Sequence, residues 1–134
     1  MLRPAVPADL APLLAIRDAT GRDALSDPML VTKANLARLV AGGAVSVWAE
    51  DGRIIGFAAT DDGSIHLLVD PAHRGKGGGR ELLAAACAAL KTAGYASAAL
   101  TLAAGSTAEP HYRAAGWSET SLSPTGGVVL KTPL

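Results

Sequence analysis

The stretch Val69-Asp70-Pro71-Ala72-His73-Arg74-Gly75-Lys76-Gly77-Gly78-Gly79-Arg80 decides how this chain is read. It follows Ser64-Ile65-His66-Leu67-Leu68-Val69, whose apolar residues make a short strand, and it opens an Ala- and Leu-rich helix predicted over 77–93. A strand that turns into a helix leaves N–H groups without partners at the helix start, and the helix dipole adds positive charge there. Glycines let this backbone approach an anion without a Cβ in the way. Arg74, Lys76 and Arg80 supply full charges around it. The local chemistry therefore predicts a phosphate or pyrophosphate ligand.

Spacing narrows the choice. A Walker A loop requires Gly-Lys followed by Ser or Thr; here Lys76 is followed by Gly77, which leaves no hydroxyl for magnesium. A dinucleotide fingerprint begins at Gly75 and Gly77 but meets Arg80 where its third glycine belongs, and no acid lies near position 100 to hold a ribose. What remains is R-x-x-G-x-G, read as Arg74, Gly77 and Gly79 after an apolar strand and Val-Asp-Pro.

Outward from this segment the pattern is regular. Upstream, a strand at 2–6 precedes a helix opened by Pro7-Ala8-Asp9 and running to about Ala19. The 21–31 stretch reads as a loop, and Thr32 caps a second helix with Leu36, Leu39 and Val40 on its apolar face. Strands at 44–49 and 54–60 flank the hairpin signal Asp51-Gly52, and Asp61-Asp62-Gly63 turns into the 64–69 strand. Downstream, Gly94 closes the long helix, 98–102 is a strand, 108–115 a short helix, and 117–121 and 128–131 are closing strands. The expected fold is α/β, a single domain over 1–134 with a mixed, mostly antiparallel central sheet flanked by helices in the order β-α-α-β-β-β-α-β-α-β-β.

Composition excludes several function classes. The 134 residues carry 12 basic and 12 acidic side chains, with no basic stripe for nucleic acid or an acidic membrane surface. Cys87 is the single cysteine, so neither an internal disulfide nor a cysteine-based zinc site is expected. The N-terminus lacks a signal-peptide pattern, and the most apolar run, Leu82 to Leu90, is too short to span a bilayer. A cytoplasmic protein that binds neither nucleic acid nor membrane is expected, either a monomer or a homodimer paired through its closing strands.

A second segment, Ala108-Glu109-Pro110-His111-Tyr112-Arg113-Ala114-Ala115-Gly116-Trp117, follows the glycine loop at a distance of one helix and one strand. Together the two segments resemble the acetyl-CoA-binding motif and the A-x-x-x-Y-x-x-x-G-F/W segment of the GNAT superfamily of N-acetyltransferases. The opening L-R-P-A-x-P-A-D-L agrees more loosely. The resemblance implies acetyl-CoA as acetyl donor, no metal, and direct attack by the primary amine of a small molecule or peptide on the thioester.

The resemblance also implies roles for individual residues. Tyr112 matches the position that faces the CoA sulfur and supplies its proton. Leu67, Leu68 and Val69 lie on a strand that the family splays from its neighbour, leaving backbone groups for the pantetheine arm and an oxyanion donor around Leu68 or Val69. Arg74, Gly75, Lys76, Gly77, Gly78, Gly79 and Arg80 form the pyrophosphate loop. Many relatives carry a Glu on the strand; here His66 is its only titratable group and the candidate base, with a strand histidine of no catalytic role as the other reading. Alternation places Ile65, Leu67 and Val69 on one face and His66 with Leu68 on the other. Gly105 stands where relatives often carry a cofactor-contacting Asn, with Ser106 or Thr107 as substitutes. Acids of the 18–27 stretch, Asp27 among them, read first as solvated surface charge and second as an attraction for a cationic amine. The competing function is a non-catalytic acyl-CoA-binding regulatory module; transfer to oxygen or use of a longer acyl chain is a minor variant.

Overall fold

The computed structural model describes residues 1–20, 25–73, 77–103, 105–122 and 126–134. Strand β1 spans Leu2–Pro4 and a 3-10 turn at Pro7–Asp9 leads into helix α1, Leu10–Ala19. Helix α2, Lys33–Ala41, is followed by the meander β2 (Val45–Glu50), β3 (Arg53–Asp61) and β4 (Ser64–Val69). Helix α3 covers Gly78–Thr92, β5 Ser97–Leu102 and α4 Glu109–Ala114; β6 (Ser118–Leu122) and β7 (Val128–Pro133) close the chain. The expected element order holds.

Local chemistry explains these boundaries. β1 ends at Pro4, short of the expected Val6, because the chain turns there into the helix start. Asp9 accepts a 2.8 Å hydrogen bond from the Val6 N–H and a forked pair from Arg3, 2.8 and 3.1 Å. One buried carboxylate thus satisfies an orphan N–H of the helix start and ties it to the first strand. Thr32 caps α2 as expected, its hydroxyl accepting from the Asn35 N–H at 3.1 Å. Asp51 and Gly52 both have positive φ, 52° and 76°, as a two-residue hairpin turn requires.

The strands form one seven-stranded sheet in the order β1-β2-β3-β4-β5-β7-β6. β7 pairs with both β5 and β6, so the last hairpin enters the sheet with its second strand innermost. Only β4 and β5 run parallel among the described pairings. Two apolar layers flank the sheet. On one face Leu82, Ala86 and Leu90 of α3 and Tyr112 of α4 pack on Ile65, Leu67, Val69, Leu100 and Trp48. On the other, Leu13 and Ile16 of α1 and Leu36, Leu39 and Val40 of α2 pack on Val47, Phe57, Ala59 and Leu68. Residues of β4 therefore alternate between layers, with Leu68 on the α1/α2 side and its neighbours Leu67 and Val69 on the α3 side.

Candidate functional site

The site is built where the one parallel pair comes apart. β4 and β5 are in register only at Ser64–Ala99 and Ile65–Leu100. Beyond these positions the strands diverge, while β4 stays paired with β3 along its whole length, from Asp61–Ser64 to Gly56–Val69. A strand that loses one neighbour keeps hydrogen-bonding groups pointing into the gap.

Alternation along β4 decides which groups these are. The Asp70 N–H donates to Ile55 of β3 at 2.8 Å, whereas both the N–H and C=O of Leu67 bond on the opposite side. The backbone direction reverses at each residue, so Leu68 faces β3 with Asp70, and Val69 faces the gap with Leu67. Of the two positions expected around the oxyanion, Val69 has the N–H directed into the opening.

Tyr112 approaches the gap from the α3/α4 face. Its ring is buried and packs edge-on against Trp117 with centroids 5.7 Å apart, and its hydroxyl donates a 2.9 Å bond to the Leu25 carbonyl. Burial pushes the phenol far above its ordinary value, with Cys87 nearby adding to the shift, so Tyr112 keeps its proton at any working pH. His66 pairs with Ala59 of β3 and alternates onto the α1/α2 face with Leu68. It is half-buried, and desolvation lowers its pKa against the smaller opposing pull of Asp61. The two candidates thus stand on opposite faces of the sheet beside the same opening, one a retained proton and the other a neutral imidazole.

At the far end of β4 the glycine segment begins. Gly77 is the N-cap of α3 with φ 85°, a left-handed conformation that side chains disfavour, and the space beside it is open. Gly78 serves packing: a Cβ there would lie 1.6 Å from the Trp48 ring. Gly79 faces Leu25 and Val69, and Arg80 is exposed in the first turn. Arg74, Gly75 and Lys76, the remaining expected loop residues, lie outside the described residues.

His111 is exposed on α4, and His73 Nδ1 sits 3.8 Å from Asp70 in the turn after β4. Cys87 is half-buried on α3, and burial raises its thiol. Gly105 has φ 78°, a left-handed conformation that glycine adopts without a Cβ clash. Ser106 is buried, and its hydroxyl accepts from the Ala108 N–H before α4 at 3.2 Å.

Sequence reasoning missed the Leu25–Asp27 segment. Ser26 and Asp27 are buried, not solvated, and Asp27 donates its N–H to the Thr101 carbonyl of β5 at 2.7 Å. Ser-Asp-Pro is an ordinary turn signal, and nothing in its spacing tells that the turn lies inside a sheet.

Solved structures with this fold include the ribosomal-protein-alanine N-acetyltransferase of Brucella melitensis, with a TM-score of 0.76 at 24% identity, covering 100% of this chain and 99% of that one. The PaiA N-acetyltransferase of Thermoplasma acidophilum, in complex with coenzyme A, gives 0.74 at 14% identity over 100% and 98%. A GNAT superfamily phosphinothricin acetyltransferase of Sinorhizobium meliloti, in complex with acetyl-CoA, gives 0.76 at 21% over 100% and 88%. No curated protein matches the sequence. Residues 19–127 match the family described as the acetyltransferase (GNAT) domain. The chain belongs to the GNAT family of acetyltransferases, enzymes that take their acetyl group from acetyl-CoA.

Proposed function

We propose that residues 1–134 form a single cytoplasmic domain that transfers the acetyl group of acetyl-CoA to a primary amine of a small molecule or peptide, by direct attack within a ternary complex. The observation that carries this reading is the parting of β4 from β5 after Ile65, with Tyr112 and His66 on opposite faces of the gap.

The pyrophosphate lies against the start of α3, where Gly77 leaves open space and the N–H groups of the first turn converge. The pantetheine arm runs along the gap-facing backbone of Leu67 and Val69, on the opposite edge of the strand from the Leu68 N–H. The thioester then sits at the gap with Tyr112 on the sulfur side, and the amine enters from the α1/α2 face.

Acetyl-CoA supplies the activated thioester when bound. His66 takes a proton from the incoming ammonium, directly or through a water, and leaves a neutral amine with its lone pair free. The nitrogen–carbon bond forms as the carbonyl becomes an oxyanion, which the Val69 N–H stabilises. As the carbon–sulfur bond breaks, Tyr112 gives its proton to the thiolate; the nitrogen sheds its second proton, which restores the phenol through solvent, and His66 releases the first to solvent. The products are an N-acetylated amine and free CoA.

Calorimetric titration with acetyl-CoA tests the reading. Wild type binds, and Gly77→Glu abolishes binding by placing a carboxylate at the pyrophosphate position, with circular dichroism confirming that the variant folds. Absence of binding by wild type would remove the proposed function.

A further inference from the structure

Leu67 and Tyr112, two of the residues that the cofactor is expected to use, are already hydrogen-bonded in this structure, and one short segment takes both. The Ser26 hydroxyl donates to the Leu67 carbonyl at 3.1 Å, and the Leu67 N–H donates back to Ser26 Oγ at 2.8 Å. This two-way clasp is what an amide would make with the same residue, and the pantetheine arm carries two amides. The preceding residue holds Tyr112, whose hydroxyl donates to the Leu25 carbonyl at 2.9 Å. The following residue replaces the missing strand partner of β5, through the 2.7 Å bond from the Asp27 N–H to Thr101.

Apolar contacts place the segment on the same line. Leu25 packs into the layer formed by α3 and Tyr112, whereas Val31, a few residues on, belongs to the α1/α2 layer. The chain therefore passes through the sheet at the gap. A Cβ on Gly79 would meet Leu25 Cδ1 at 3.1 Å and Val69 Cγ2 at 3.6 Å. Leu25 thus spans the distance from Tyr112, where the sulfur belongs, to the start of α3, where the pyrophosphate belongs.

We infer that Leu25–Asp27 is an internal occupant of the acyl-CoA channel, fastened by Ser26, which the pantetheine arm displaces on binding. This rests on the function proposed above. Its physical logic is that of a buried polar group satisfied in both states: Ser26 serves the Leu67 N–H and C=O when the segment is in place, and the cofactor serves them when it is displaced. Tyr112 consequently has two exclusive hydrogen-bond states, and only the displaced one leaves its proton for the thiolate. Because the closed state competes with the ligand, apparent affinity is reduced by the fraction of molecules that are closed.

Titrating coenzyme A into wild type and Ser26→Ala by calorimetry tests the inference. Loss of the hydroxyl leaves the Leu67 N–H and C=O unpaired only when the segment is in place, so Ser26→Ala weakens the closed state and should bind coenzyme A about fivefold to tenfold more tightly. The same variant should melt at a lower temperature without ligand. If the segment is a fixed strut of the site, Ser26→Ala binds equally or more weakly, which overturns the inference while leaving the proposed function standing. If wild type does not bind coenzyme A, both fall. Amide hydrogen exchange on wild type needs no variant: with coenzyme A the Asp27 amide should lose protection, and unchanged or increased protection there overturns displacement.

Discussion

Gly78, the first residue of α3, lies flat against the Trp48 ring of β2, so close that an added Cβ would fall 1.6 Å from two ring carbons. Trp48 is 5% exposed and belongs to the layer that holds Leu82 and Val69. The middle glycine of the loop is therefore a spacer that lets the helix start settle on the sheet, and Gly77 beside it is a different case. Gly78→Ala must push the helix or the indole away, at a cost of about 1–3 kcal/mol. Gly77→Ala meets open space and carries only the penalty of its left-handed backbone, about 1–2 kcal/mol. Thermal unfolding should rank Gly78→Ala as the less stable of the two, and Gly78→Ala should also weaken acetyl-CoA binding by tilting the α3 start. Equal melting temperatures would show that Trp48 yields freely.

Tyr112→Phe removes a proton donor and little volume. General-acid assistance contributes about a hundredfold or more, so kcat should fall by about that factor while acetyl-CoA binding is retained. The retained proton has a further consequence. Burial raises the phenol in the folded state, so the folded chain holds this proton above pH ~10 where an unfolded tyrosine has lost it. Stability from this group is complete below that value and declines as pH rises past it. Denaturant titrations of wild type should show a decline as pH rises past ~10 that is smaller in Tyr112→Phe.

His66 titrates in the opposite sense. Desolvation lowers its pKa, so the imidazole is neutral and able to accept a proton at neutral pH, and the acid limb of the kcat/KM profile should lie below the ordinary histidine value of ~6.5. His66→Gln should remove that limb and reduce turnover by about tenfold to a hundredfold, with rescue at higher pH where free amine is abundant. An acid limb unchanged in His66→Gln would exclude it as the base. The linked stability effect is a loss as pH drops below ~6.5, because the unfolded chain takes up the proton first.

Asp9 carries the entry into α1. Its carboxylate is held below the ordinary range chiefly by the Arg3 hydrogen bonds, with the Val6 N–H helping. Asp9→Ala removes a cap and a forked ion pair and should cost about 1–2 kcal/mol, read as a drop of a few degrees in melting temperature, with acetyl-CoA affinity unchanged. The stabilisation is complete above the unfolded carboxylate value of ~3.9 and disappears as pH falls through the lower folded value, so wild type and variant should converge in acid.

Much of this was legible in the sequence. Period-two alternation placed Leu68 on one face and Leu67 with Val69 on the other, because a strand has no freedom to do otherwise. Caps and turns were equally readable: Thr32, Asp51-Gly52 and the glycine at the start of α3 act within a few residues of themselves. The family's two motifs were legible for the same reason, since each is a contiguous segment whose chemistry is local.

Three features were decided only by the tertiary structure. Gly78 reads like its neighbours until Trp48, thirty positions upstream, is brought against it. The parting of β4 from β5 depends on how α3 and the crossover seat one strand beside the other, and no residue of β4 announces it. Ser26 and Asp27 read as surface residues of a loop, yet they are buried because that loop enters the gap and bonds strands encountered 41 positions later at Leu67 and farther still at Thr101. Sequence alone determines what a residue offers, a hydroxyl, a phenol, a missing Cβ, and which face of its own element it takes. Which groups from distant segments share one low-dielectric gap is settled by packing, because burial and hydrogen-bond satisfaction are properties of the assembled chain.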